Sequence, residues 1–149
     1  MRLCDLERDD SPGQSAPFGL AEIARTWIGV KFRPQGRTRS GVDCVGLVLC
    51  VAWEAGFSMA DRRGYSQRWN EIGDVEQEMA ARGFAAIKPS EAFPGDILVG
   101  LPASGRIHFA VRSPSGVIEA DLRCGRVIER PQRSDDRWHS AWRLLNKER

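Results

Sequence analysis

Gly41-Val42-Asp43-Cys44-Val45-Gly46-Leu47-Val48 is the stretch on which the fold turns, because it sets a cysteine where a glycine-containing turn enters an apolar helix. From Val45 to Ala55 the residues Val45, Leu47, Val48, Leu49, Val51, Ala52 and Trp53 run too densely for a half-exposed strand, and Gly56 follows as a stop. The segment reads as a buried helix with Asp43 as its N-cap. Cys44 then lies in the first turn, where unpaired backbone N–H groups and the positive end of the helix dipole favour a nucleophilic sulfur. The same N–H groups can hold an oxyanion. Gly46 costs about 1 kcal/mol relative to Ala inside a helix, so its presence points to a packing or access requirement. The bland use of such a cysteine is as a small buried hydrophobe.

Outward from this helix, composition narrows the choices. A chain of 149 residues that is 42% hydrophobic suits one domain with a real core. No apolar run approaches the length of a membrane span, and Met1 to Asp10 lacks the apolar stretch of a signal peptide, so the expectation is a protein that neither inserts into a membrane nor exports itself by the usual route. The formal charge of +2, from 22 basic and 20 acidic residues, is too small to argue for nucleic acid. Cys4, Cys44, Cys50 and Cys124 show no paired spacing of the zinc-site kind, so neither metal nor cofactor is expected. They read as free thiols made in a reducing compartment.

Residues 1–17 are polar, with Pro12, Gly13 and Pro17, and read as an arm preceding a domain at 18–149. Phe18 to Ile28 predicts a helix with Leu20, Ile23, Ala24 and Trp27 on one face, Gly29 to Gly41 a loop, and Glu71 to Arg82 a helix closed by Gly83. Apolar or alternating runs at Ile97–Val99, Ile107–Val111, Val117–Ala120, Arg126–Ile128 and Trp138–Leu145 then predict strands of an antiparallel sheet. Helices first and strands later argue for an α+β domain, with N-terminal helices packed on a C-terminal sheet.

A cysteine nucleophile needs a base that titrates near neutrality, and His108 and His139 are the only histidines. His108 lies in Ile107-His108-Phe109-Ala110-Val111, where His108 and Ala110 share a face. The turn Ser113-Pro114-Ser115-Gly116 pairs Arg112 with Val117, Ala110 with Glu119 and His108 with Asp121. Glu119 and Asp121 therefore share the face of His108, and either can fix its tautomer; a register slip would instead bring up Ala120.

With Asp43-Cys44-Val45-Gly46-Leu47-Val48, Pro94-Gly95-Asp96-Ile97-Leu98, Ile107-His108-Phe109-Ala110-Val111 and Val117-Ile118-Glu119-Ala120 in that order, the chain resembles the NlpC/P60 cell-wall cysteine peptidases over roughly residues 20–145. Trp27-Ile28-Gly29-Val30-Lys31-Phe32-Arg33-Pro34-Gln35 is similar to the branch carried by phages and gene transfer agents. The resemblance implies a papain-like α+β fold and metal-free hydrolysis of amide bonds in peptidoglycan stem peptides. It implies Cys44 as nucleophile, His108 as base and then acid, Glu119 as orienting residue, and Asp43, Phe32 and Gln35 at the substrate. Many members have tyrosine where Phe32 stands; a phenyl ring donates no hydrogen bond, which shifts oxyanion stabilisation onto backbone N–H groups. The resemblance further implies a virion tail tip acting in the host periplasm, with tail hub or baseplate proteins as partners. A structural tail component that keeps the fold without cutting is the alternative.

Overall fold

The computed structural model describes residues 19–62, 72–101 and 107–145. The polar arm, Phe18 and the last four residues of the arginine-rich end lie outside the described residues. Helix α1 covers Leu20–Arg25 and is shorter than the predicted Phe18–Ile28. After Arg25 the backbone tightens into three-residue bonds, Thr26 N–H to Ile23 O and Trp27 N–H to Ala24 O, both 2.9 Å, and it breaks at Gly29 with φ 96. The apolar face is as expected, with Leu20, Ala24 and Trp27 buried. The indole N–H of Trp27 donates to Glu54 at 3.3 Å, and Arg39 lies 4.0 Å over its ring, which ties α1 to the helix that follows.

The predicted loop at Gly29–Gly41 is more ordered than its composition suggested. Strand β1, Arg37–Thr38, pairs antiparallel with β2, Gly41–Val42, and β2 leads directly into α2, Cys44–Glu54. Asp43 caps α2, accepting the Gly46 N–H at 2.8 Å. Val45 through Ala52 are all buried, and each large side chain so placed stabilises the fold by about 1.5–3 kcal/mol. Helix α3, Ile72–Ala81, is followed by Gly83 with φ 99, the left-handed stop read from the sequence.

Strands β3, Phe84–Ile87, β4, Ile97–Gly100, β5, His108–Ser113, β6, Gly116–Asp121, β7, Arg126–Arg130, and β8, Trp138–Leu144, form one antiparallel sheet in the order β3-β8-β4-β5-β6-β7. Five of these six strands stand where the alternation put them. Strand β3 was not expected: Phe84-Ala85-Ala86-Ile87 has two alanines of low strand propensity, and its pairing partner β8 lies more than fifty residues on. The β5–β6 hairpin has the expected register, with Arg112 opposite Val117 and Ser113 opposite Gly116. Alternate residues line the two faces. Phe109, Val111, Ile118 and Ala120 join the large core under α2, whereas Leu98, Ala110, Val117 and Ala141 form a second small core with Ile87, Ala92 and Trp138. Residues 29–32 lie along β7, with Gly29 N–H to Val127 O and Phe32 N–H to Gly125 O at 2.9 Å. The strap 131–137 joins β7 to β8 past the three strands between them.

Candidate active site

Two elements bring the reactive groups together. The N-terminus of α2 presents Cys44, half-buried, and the first residue of β5 presents His108, whose side chain is 27% exposed. The imidazole and the thiol face each other closely enough for Cys44 to influence the titration of His108. His108 Nε2 lies 2.7 Å from Glu119 Oε1, so Nδ1 is the ring nitrogen left to exchange a proton with sulfur. Glu119 is buried, 4% exposed as a residue, and its second oxygen accepts the Nε–H of Arg130 at 2.6 Å.

These contacts set the charges. Burial alone would push the imidazole down, but the hydrogen bonds to Cys44 and Glu119, together with their charges, outweigh it and raise His108 from 6.5 to about 10. Burial likewise works against the Glu119 carboxylate, yet the bond and charge of His108 and then those of Arg130 lower it from 4.5 to about 2. The site therefore holds an imidazolium over a wide range around neutrality. Cys50, on the same helix, is a different kind of thiol: it is buried, bonds the Arg37 carbonyl at 3.3 Å, and burial pushes it up to about 11.

Between the two carboxylates left open by the sequence, geometry distinguishes sharply. Asp121 turns away and accepts the backbone N–H groups of Arg123 at 2.8 Å and Cys124 at 3.3 Å, closing the β6–β7 turn. The imidazole thus reaches diagonally across the hairpin to Glu119.

Asp43 is 3% exposed. Its Oδ1 takes the Gly46 N–H and lies 3.4 Å from an Arg37 nitrogen, while Oδ2 takes the Gln35 N–H at 2.7 Å. Both oxygens are engaged within the fold, so Asp43 holds Gln35, which has φ 61, beside the start of α2. Phe32 is half-buried against the core and bridges Val42. A Cβ on Gly46 would collide with the Gly36 carbonyl oxygen, which explains why a helix interior tolerates glycine there. A small open cavity of about 40 Å³ lies beside α2, lined among others by Val48, Met79 and Phe109; Cys44, His108 and Glu119 do not line it. No group of three or more possible metal ligands occurs among the described residues. Sequence reasoning missed Arg130 and Asp136; the only signal was the turn ending in Gly125, which sets Arg130 opposite Val117, two residues from Glu119.

No protein-family model matches the chain, and no curated protein matches it. Solved structures do. The NlpC/p60 domain of the peptidoglycan hydrolase SagA is 23% identical with a TM-score of 0.63, over 85% of this chain and 97% of that one. RipD from Mycobacterium tuberculosis, described as a non-catalytic NlpC/p60 domain protein adapted to peptidoglycan binding, is 19% identical with a TM-score of 0.61, over 89% and 99%. The peptidoglycan hydrolase RipB from the same organism is 19% identical with a TM-score of 0.60, over 88% of this chain and 65% of that one. Helices packed on a six-stranded antiparallel sheet, with a cysteine leading a helix towards a histidine on a strand, are in this chain the NlpC/P60 fold.

Proposed function

We propose that the protein is a thiol hydrolase of peptidoglycan stem peptides, and the observation that carries this is the linked series Cys44, His108 and Glu119. In this reaction the Cys44 sulfur attacks the amide carbonyl carbon, and the oxyanion meets backbone N–H groups at the start of α2. Those of Gly46 and Leu47 bond to Asp43, so the N–H groups of Cys44 and Val45, two residues nearer the end, are the ones proposed. His108 gives its proton to the departing amine, the C–N bond breaks, and a thioester remains. Water then loses a proton to His108 while its oxygen attacks the thioester carbonyl; the C–S bond breaks, the acid product leaves and the Cys44 sulfur is free for another cycle. Glu119 orients the imidazole and balances its charge throughout. Phe32 and Gln35 form the substrate-side wall, and Asp43 fixes that wall and the helix start.

Delivery by a phage-like tail tip, with tail or baseplate partners and action in the host periplasm, remains our reading from the Trp27–Gln35 resemblance. A non-catalytic wall-binding role is the second reading, favoured by the likeness to RipD and by a phenyl ring at Phe32.

The deciding experiment incubates wild type and Cys44→Ala with Gram-negative sacculi and reads released fragments by mass spectrometry. Stem-peptide fragments from wild type alone are expected, and their masses name the bond. Equal, fragment-free binding by both proteins would establish the second reading instead.

A further inference from the structure

Only one oxygen of Glu119 faces His108. The other accepts the Nε–H of Arg130 at 2.6 Å, and the remaining nitrogens of that guanidinium donate to Asp136, Nη1 to Oδ2 at 3.1 Å and Nη2 to Oδ1 at 3.0 Å. Asp136 in turn accepts the backbone N–H of Arg133 at 2.8 Å, and Arg130 Nη1 also donates to the Pro131 carbonyl at 3.0 Å. The Glu119, Arg130 and Asp136 side chains are 6%, 12% and 12% exposed, so water competes weakly for these bonds. Arg130 comes from β7 and Asp136 from the strap, so the acid beside His108 is gripped from two further elements.

We propose that Arg130, clamped by Asp136, is a positioning residue for the reaction: it pins Oε2 of Glu119 so that Oε1 stays on His108 Nε2. The chemical consequence rests on the hydrolase reading above. A glutamate has three rotatable bonds, and one hydrogen bond to a partly exposed ring does not fix them. A planar fork serves two carboxylates at once, with Nε for one and both Nη for the other; an ammonium group on a flexible stem does not reproduce this. Among the described residues, the ionisable groups that meet His108 are Cys44 from α2 and Glu119 from β6. Arg130 and Asp136 act through Glu119.

A clamp that merely tethers the strap would predict the same loss of stability, so the test reads the imidazole itself. His139 is exposed and paired with Glu76 at 3.0 Å, and His139→Gln leaves His108 as the sole histidine. In that background the full chain is titrated by NMR as wild type, Arg130→Met, Arg130→Lys and Asp136→Asn, with kcat and KM measured on a stem peptide. In Arg130→Met the His108 midpoint is expected to fall by about one unit as the bond to Glu119 loosens. The kcat is expected to fall about tenfold with KM within about twofold, less than the loss of an acid–base group itself. Arg130→Lys is expected to restore neither. Removing a cation without loosening Glu119 would raise the midpoint, so a midpoint in Arg130→Met equal to or above wild type overturns the proposal, whatever happens to Tm. Should Arg130→Met fail to fold, Asp136→Asn decides by the same criterion. The titration is readable even if the wild type cuts nothing, so the hydrolase reading and this one fail separately.

Discussion

At the scale of single residues, the choice between Glu119 and Asp121 has a sharp outcome. Glu119→Gln keeps a hydrogen-bonding group of the same shape but removes the charge that helps lift His108 to about 10, so kcat is expected to fall by roughly 10²- to 10⁴-fold. The alkaline limb of the pH–rate profile, set by loss of the His108 proton, is expected to move below 10. Asp121→Asn, whose carboxylate accepts the backbone N–H groups of its own turn, is expected to leave kcat within about twofold. Equal losses in the two variants would reject the assignment of Glu119. Cys44, His108 and the pair of candidate acids could be singled out in the sequence because the residue types proposed as nucleophile and base are chemically rare in this chain. The decision between the acids was not, since it depends on how far strand twist lets an imidazole reach across a hairpin. Arg130 was less legible still, one arginine among many, made significant by a strap that no local pattern announces.

Among the elements, α2 was the most readable, because an N-cap aspartate, a dense apolar run and a glycine stop all agree. Its glycine makes a test in which two effects oppose each other. Gly46→Ala gains about 1 kcal/mol of helix propensity, but the new methyl meets the Gly36 carbonyl, a backbone atom with little freedom to move. Overpacking of this kind costs about 1–3 kcal/mol, so Tm is expected to drop, and kcat with it as the Gln35 turn is displaced. A Tm above wild type would show that the 33–43 segment yields freely. The short pair β1 and β2 was illegible for a related reason. Two-residue strands carry no periodicity, and what orders them comes from elsewhere: Asp43 on Gln35, and Arg37 donating to Asp61 at 2.8 Å. Strand β3 likewise owes its state to β8 rather than to its own residues.

For the whole molecule, the coupled histidine and glutamate tie stability to pH. His108 is raised, so its contribution is complete below 6.5 and is lost as pH climbs through about 10; Glu119 is lowered, so its contribution is complete above 4.5 and is lost as pH falls through about 2. The Tm advantage of wild type over Glu119→Gln is therefore expected to be greatest between 4.5 and 6.5 and to shrink on both sides. A difference that stays flat from pH 3 to 10 would show that the pair contributes packing alone. The α+β layout was legible at this scale from the order of helices and strands, whereas the sheet order was not, because β8 returns between β3 and β4 and long-range pairing leaves no local trace. That sheet also ends in a particular way. Along β7 the border is occupied by residues 29–32, and at the opposite border β3 offers only four residues before Lys88 and Pro89, a cation and a ring without an amide proton. Among the described residues, this sheet offers a second molecule little ladder to extend.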